Sequence, residues 1–233
     1  MIALYVKEIK QYFRSMIGYV FLTIMTLICG FLFTTGNLMS QNGDIKIFFG
    51  SLFNVLIFLV PMLTMRQFSE EEKLKTRQLL FTLPLTLESI VLGKFLATLS
   101  MICIGLVMTL VYPVILASLG VFSPMVILGN YLAVILLVSA VISIGLFVSS
   151  LTENQVISGV GSYGILLILW LIDSLAPTIS NPLLKKTVLL FSLKNNYIEF
   201  TYGIFNPAGV LYFISMTTLF LILTVVKLDG RRQ

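Results

Sequence analysis

Gly159-Val160-Gly161-Ser162-Tyr163-Gly164 carries the G-x-G-x-x-G spacing of a dinucleotide-binding turn. That chemistry needs a strand before the first glycine and a helix opening after the last, so that backbone amides can meet a pyrophosphate. Here the run stands at the start of a long apolar stretch, where small residues allow close helix contact instead, as do Ser139, Ser143 and Gly145. Gly93-Lys94 is followed by Phe95 rather than Ser or Thr, and it lacks the upstream glycine of a phosphate-binding loop. The chain has no histidine, which removes H-E-x-x-H metal sites and every His-based triad. Its hydroxyls are expected to have no buried lysine as a base. Cys29 and Cys103 fall in apolar stretches and are expected to be free, buried and inert; Ile28 is too large to precede a lipidated cysteine. Charge inside the apolar stretches is almost lacking, with no carboxylate pair and no arginine stripe, which argues against an ion-driven transporter and an intramembrane protease. The chain is therefore expected to bind no cofactor or metal and to take any energy it uses from a partner.

One polar stretch is organised enough to do work. Residues 61–97 run PMLTMRQFSEEEKLKTRQLLFTLPLTLESIVLGKFLA. Ser69 followed by Glu72 fits a capping box. Glu70, Glu71 and Glu72 occupy the first turn, where the helix dipole favours negative charge, and Lys73, Lys75 and Arg77 come later. Leu74, Gln78, Phe81 and the neighbouring Leu80 share one face, and Pro84 ends the helix. This is read as a short amphipathic helix held between two membrane spans. It either docks on a soluble partner or merely joins the spans as a solvated loop.

The elements that hold it are apolar. The chain has 233 residues, 58% hydrophobic and 11% charged, with a mean hydropathy of +1.04; soluble domains carry roughly twice that charge. Apolar runs over residues 16–35, 47–65, 90–116, 125–151, 156–174 and 208–226 are each long enough to cross a bilayer. Pro113 should bend the far end of the third, and Thr86, with Glu88 behind it, should cap its approach. In residues 1–15, Ile2, Tyr5, Ile9, Tyr12 and Phe13 recur at helical spacing, with Lys7, Glu8, Lys10, Gln11 and Arg14 largely opposite. This suits a helix lying in the membrane interface and does not suit a cleavable signal. Most of the 15 Lys and Arg fall in the N-terminal arm (Lys7, Lys10, Arg14), the middle loop and the C-terminal tail. The positive-inside rule then places both termini and the loop in the cytoplasm, and it explains the net charge of +5 without a nucleic-acid partner.

Met65-Arg66-Gln67-Phe68-Ser69-Glu70-Glu71-Glu72, Thr76, Leu79-Leu80, Leu83-Pro84 and Leu92-Gly93-Lys94-Phe95-Leu96-Ala97 resemble the signature of the type-2 permeases of ATP-binding-cassette transporters. Tyr197–Gly203 and Tyr212-Phe213 look like the gliding-motility-type branch of that family. The resemblance covers nearly the whole chain, and it implies an all-α integral membrane protein forming one permease domain over residues 1–233. Its parts would be an interfacial helix over 1–15, six spans, a cytoplasmic coupling segment over 66–89 between spans 2 and 3, and an extracytoplasmic re-entrant segment over 175–207. It implies export driven by a separate ATPase subunit, which would carry ATP and magnesium. The ATPase would be met through Ser69, Glu70, Glu71, Glu72, Lys73, Thr76, Arg77 and Phe81. Further implied partners are a second permease copy or a paralogue, the bilayer, and a periplasmic auxiliary protein, all in a bacterial inner membrane. The alternative is an ATPase-coupled scaffold of a motility or secretion machine. Lys75 stands where the family usually has glycine, and Gln78 where an acidic residue is common.

Overall fold

Leucine, isoleucine, valine and phenylalanine fill the six apolar runs, and in lipid such runs must satisfy their own backbone groups, which a helix does within one segment. The computed structural model describes residues 2–75, 86–118, 123–175, 181, 188–189 and 191–230, and among these every regular element is helical. The elements are α1 (Ile2–Arg14), α2 (Met16–Phe33), α3 (Lys46–Thr64), α4 (Ser69–Lys73), α5 (Leu87–Met108), α6 (Val111–Ser118), α7 (Pro124–Leu151), α8 (Gln155–Leu175), α9 (Leu193–Thr201) and α10 (Pro207–Asp229). Six helical stretches are long and apolar enough to span a membrane. The chain is a multi-pass membrane protein.

The most deeply buried span is α7, and α3, α5, α8, α9 and α10 all pack against it. Its core face is small as well as apolar. A Cβ on Gly145 would land on the Thr64 side chain of α3, so these two helices approach as closely as backbone allows. Gly145→Leu is expected to force α3 and α7 apart, destabilising the protein by about 1–3 kcal/mol. A thermal midpoint followed by size-exclusion chromatography checks this, with Gly164→Leu as control, since a side chain there meets open space.

The third span is interrupted by a two-residue turn. Helix α5 closes at Thr109, whose hydroxyl donates to Leu106 O at 2.7 Å, and α6 begins two residues later. Pro113 has no amide to give to the carbonyl four residues back, at Thr109, and the interruption falls in the turn just before it. The first span runs on past the apolar stretch that ends at residue 35. A π-helical turn over Thr34–Leu38 carries it on, and the Asn37 amide then donates to Asn42 O and Asp44 O, holding the following loop. The expected cap at Thr86 is present, its hydroxyl accepting from Ser89 N at 3.3 Å.

At the end of the bundle where Asn37 and Thr109 lie, rings fill the space between helices. Phe33 stacks on Tyr112 at 4.5 Å, and Phe48 meets Tyr112 edge-on at 5.1 Å. Helix α9, capped by Ser192, is the described part of the long polar segment before the last span. It is wedged in by Tyr197, fully buried, whose hydroxyl donates to Phe49 O at 2.9 Å.

Candidate functional site

The opposite end holds the N-terminal helix, α4, and the polar ends of α3, α5 and α7. Leu4, Glu8 and Tyr12 are four residues apart, so one face of α1 carries all three, and all three are buried. That face lies along α5. Leu4 sits against Gly93, Tyr5 donates to Ser100 Oγ at 2.9 Å, and Tyr12 meets Thr98 Oγ1 at 3.1 Å. Glu8 therefore does not belong to the solvent face where its charge suggested it would lie. Lys10 and Arg14 stay exposed on the outer face, and Lys7, also exposed, reaches round toward the Glu8 carboxylate at 3.7 Å.

Lys94 explains why Glu8 turns inward. It stands on the core face of α5 between Val91 and Thr98, and it is 1% exposed. Its ammonium donates to Glu71 Oε1 at 2.8 Å and to Glu8 Oε1 at 3.2 Å, and it lies 5.3 Å from the centre of the Phe68 ring. A buried lysine is thus present after all, clamped rather than free to act as a base. A buried charge is tolerated only when it is paired and hydrogen-bonded, and here two carboxylates supply the pairing. The clamp ties α1, α4 and α5 into one unit.

A second polar knot lies beside it. Thr98 Oγ1 donates to Lys94 O at 2.9 Å, which leaves its lone pairs for the Tyr12 hydroxyl and for Gln67 Nε2 at 3.1 Å. Gln67 Nε2 also donates to the Tyr12 oxygen. Burial pushes the Tyr12 phenol up to about 12, with the Thr98 bond opposing the shift, so it stays a neutral donor at any physiological pH.

The junction between α3 and α4 is fixed from the other side by Ser149 near the end of α7. Its oxygen accepts from Phe68 N at 3.0 Å and from Ser69 N at 3.1 Å, and its proton goes to Met65 O at 3.2 Å. The capping box expected from Ser69 and Glu72 is not formed at the helix start. Ser69 Oγ turns back to donate to Met65 O, Glu72 N bonds Phe68 O, and Ser69 N is taken by Ser149. A serine on a neighbouring helix has taken one of the two amides of the box, and the backbone has taken the other.

Of the residues expected to face an ATPase, Ser69 is buried and Glu71 points into the clamp. Glu70 pairs with Arg66 in a fork of 3.1 and 3.3 Å, about a third exposed. Glu72 is half-buried, and Lys73, with Leu74 and Lys75, faces out. Thr76, Arg77 and Phe81 lie outside the described residues. Helix α4 ends with Lys75 at φ +55°, in the left-handed region, just after a C-cap at Leu74. That is the position where a glycine commonly closes a helix, and it accounts for the glycine usual in related signatures. Lys75→Gly is expected to stabilise this turn by roughly 0.5–1 kcal/mol. Slower proteolytic cleavage near residue 75, with an unchanged global midpoint, would show it.

The Gly159–Gly164 run lies within α8, where Gly159 faces Met65 and Gly161 faces Val148. This is the close helix packing expected of it. Between α1, α4 and the membrane end of α3, Glu8, Tyr12, Arg66, Gln67, Glu70 and Lys94 border a cavity of about 350 Å³.

With this geometry in place, comparison with known families is decisive. The profile of the ABC-2 family transporter protein matches residues 2–228. The chain belongs to the ABC-2 transporter family. The match takes in α1, the clamp and all six spans. It is to the family at large and does not single out the gliding-motility branch. No curated protein matches the chain. Membership makes the chain a membrane permease component of an ABC transporter. Sequence reasoning missed Glu8, Lys94 and Ser149. For the first two a signal existed: each occupies the buried stripe of its helix, Glu8 between Leu4 and Tyr12, and Lys94 between Val91 and Thr98.

Proposed function

We propose that this chain is the permease subunit of an ATP-driven exporter, and that α4 is the element a partner ATPase moves. One observation carries the reading: α4 is bound to the spans through a buried ammonium, with Lys94 held between Glu71 and Glu8. A loop that merely joined two spans would have no use for such a bond. A force on the exposed edge of α4 at Lys73 and Leu74 passes through Glu71 to α5 and α1, and through Phe68 and Ser69 to α7. The rest of the binding edge is formed by Thr76, Arg77 and Phe81, and ATP and magnesium sit on the partner. On this reading α1 rests in the membrane interface, both termini and residues 66–89 are cytoplasmic, and residues 175–207 face outward in the inner membrane.

The permease works as a pair. Asn54, midway along α3, is exposed, and it accepts from Trp170 Nε1 of α8 at 3.2 Å. Beside it Tyr163 donates to Phe58 O at 2.7 Å. Polar groups at mid-span are costly against lipid and suit contact with another protein helix, so a second copy or a paralogue covers this face.

The test is a mild-detergent pulldown of the tagged chain, read by mass spectrometry and an ATP hydrolysis assay. A stoichiometric ATPase subunit that is lost when residues 69–83 are scrambled is the expected result. A monodisperse preparation without any ATPase overturns the coupling role.

A further inference from the structure

The cavity beside the clamp carries a balanced set of charges. Lys7, Arg66 and Lys94 border it, and so do Glu8, Glu70 and Glu71, three of each sign. Its size falls in the range of small-molecule sites, roughly 300–1,000 Å³. Apolar Ile17 and Leu63 complete one wall, at the ends of α2 and α3 where the membrane-spanning stretches meet the polar loops.

The two charged layers differ in how firmly they are held. Lys94 and Glu8, with side chains 2% and 5% exposed, are locked together in the floor. Arg66 and Glu70 form the rim, and their side chains are 30% and 32% exposed. An exposed ion pair contributes little and opens at small cost. Once open, it offers a guanidinium fork shaped for a phosphate and, four residues on, a carboxylate for an ammonium. A ligand of one sign would leave half the rim unpaired. One that carries both signs on adjacent groups satisfies both halves.

We infer that this cavity binds the phosphoethanolamine headgroup of a membrane lipid. Arg66 and Lys7 take the phosphate, Glu70 takes the ammonium, and the acyl chains leave along Ile17 and Leu63. The site stands independently of any ATPase partner, since every contact is made by this chain. A lipid held there fills the space between α1 and α4 and braces the clamp from its open side. Choline has the same net charge but no N–H to donate to Glu70, so phosphatidylcholine binds less well.

The test uses the full-length chain purified in detergent. Retention of added dioleoyl phosphatidylethanolamine, phosphatidylcholine and phosphatidylglycerol is compared by native mass spectrometry. The expected result is about tenfold preferential retention of the ethanolamine lipid, the scale of one charge-assisted hydrogen bond. Glu70→Gln leaves the rim with an excess positive charge and should turn the preference toward phosphatidylglycerol. Arg66→Gln, which removes the phosphate fork, should abolish retention of all three phospholipids. Soluble O-phosphoethanolamine separates the sources: stabilisation by the lipid alone assigns the site to a membrane component, and equal stabilisation by the soluble compound assigns it to the free headgroup. Equal retention of all three lipids by the wild-type chain overturns the inference, as does an unchanged ethanolamine preference in Glu70→Gln.

Discussion

Lys94→Met should cost the protein about 3–5 kcal/mol, the largest loss expected from any single side chain at this end of the bundle. The substitution keeps the length and the apolar stem and removes only the ammonium. What remains is Glu8 and Glu71, their side chains 5% and 14% exposed, with no cation between them. Two carboxylates left in such a place must take up protons or drag water in, and either loosens α1 and α4 from α5. The expected readout is a lowered thermal midpoint with loss of the monodisperse peak. A compensated variant separates stability from function. Glu8→Gln and Glu71→Gln together with Lys94→Met leave no buried charge, and replacing a buried ion group by neutral residues of similar volume is often tolerated. The triple variant should regain most of the midpoint and still bind its ATPase, yet stimulate ATP hydrolysis poorly, because the bonds that pass motion from α4 to α5 are gone. Full coupling in the triple variant would show the clamp to be structural only.

How much of this was legible in the sequence depends on the range of the interaction. The six spans follow from run length and apolarity, and the cap at Thr86 follows from a hydroxyl placed just before the run with Glu88 in the first turn. Both are local properties. The packing role of the glycine run was also within reach, because the bilayer rules out the strand that a dinucleotide turn requires. The clamp was not. Glu8 and Lys94 are 86 positions apart, and each read alone as one more charge at the membrane boundary. Their positions on buried helical faces were visible, but charge weighed more heavily than periodicity in placing them. The capping box failed for a related reason: the pattern at Ser69 and Glu72 is sound locally, but a side chain 80 positions away takes one of its two amides and the continuing backbone takes the other. Lys75 shows the converse, since its departure from the usual glycine became physical only once its positive φ was seen.

Ser149→Ala tests that long-range contact by itself. One hydroxyl serves three backbone groups at the junction of α3 and α4. Removing it leaves Met65 O still satisfied by Ser69 Oγ, but the amides of Phe68 and Ser69 lose their acceptor. Both residues are buried, so water replaces the lost oxygen poorly. Each orphaned amide costs about 1–3 kcal/mol, and partial relaxation of the short helix holds the total for the pair to roughly 2–4 kcal/mol. The loss should be felt locally, because α7 keeps its own core contacts. Hydrogen exchange of the peptide over residues 66–72 is therefore expected to quicken by many fold, while peptides from the middle of α7 keep their protection. Ser149→Thr, which retains the oxygen, should recover most of the protection. If α4 passes motion to α7 through this bond, Ser149→Ala also lowers ATP-stimulated transport with little change in ATPase binding. Unchanged exchange over residues 66–72 would mean that Ser149 does not hold α4, and the link from α4 to the spans would rest on Lys94 and on the Gln67 knot beside it.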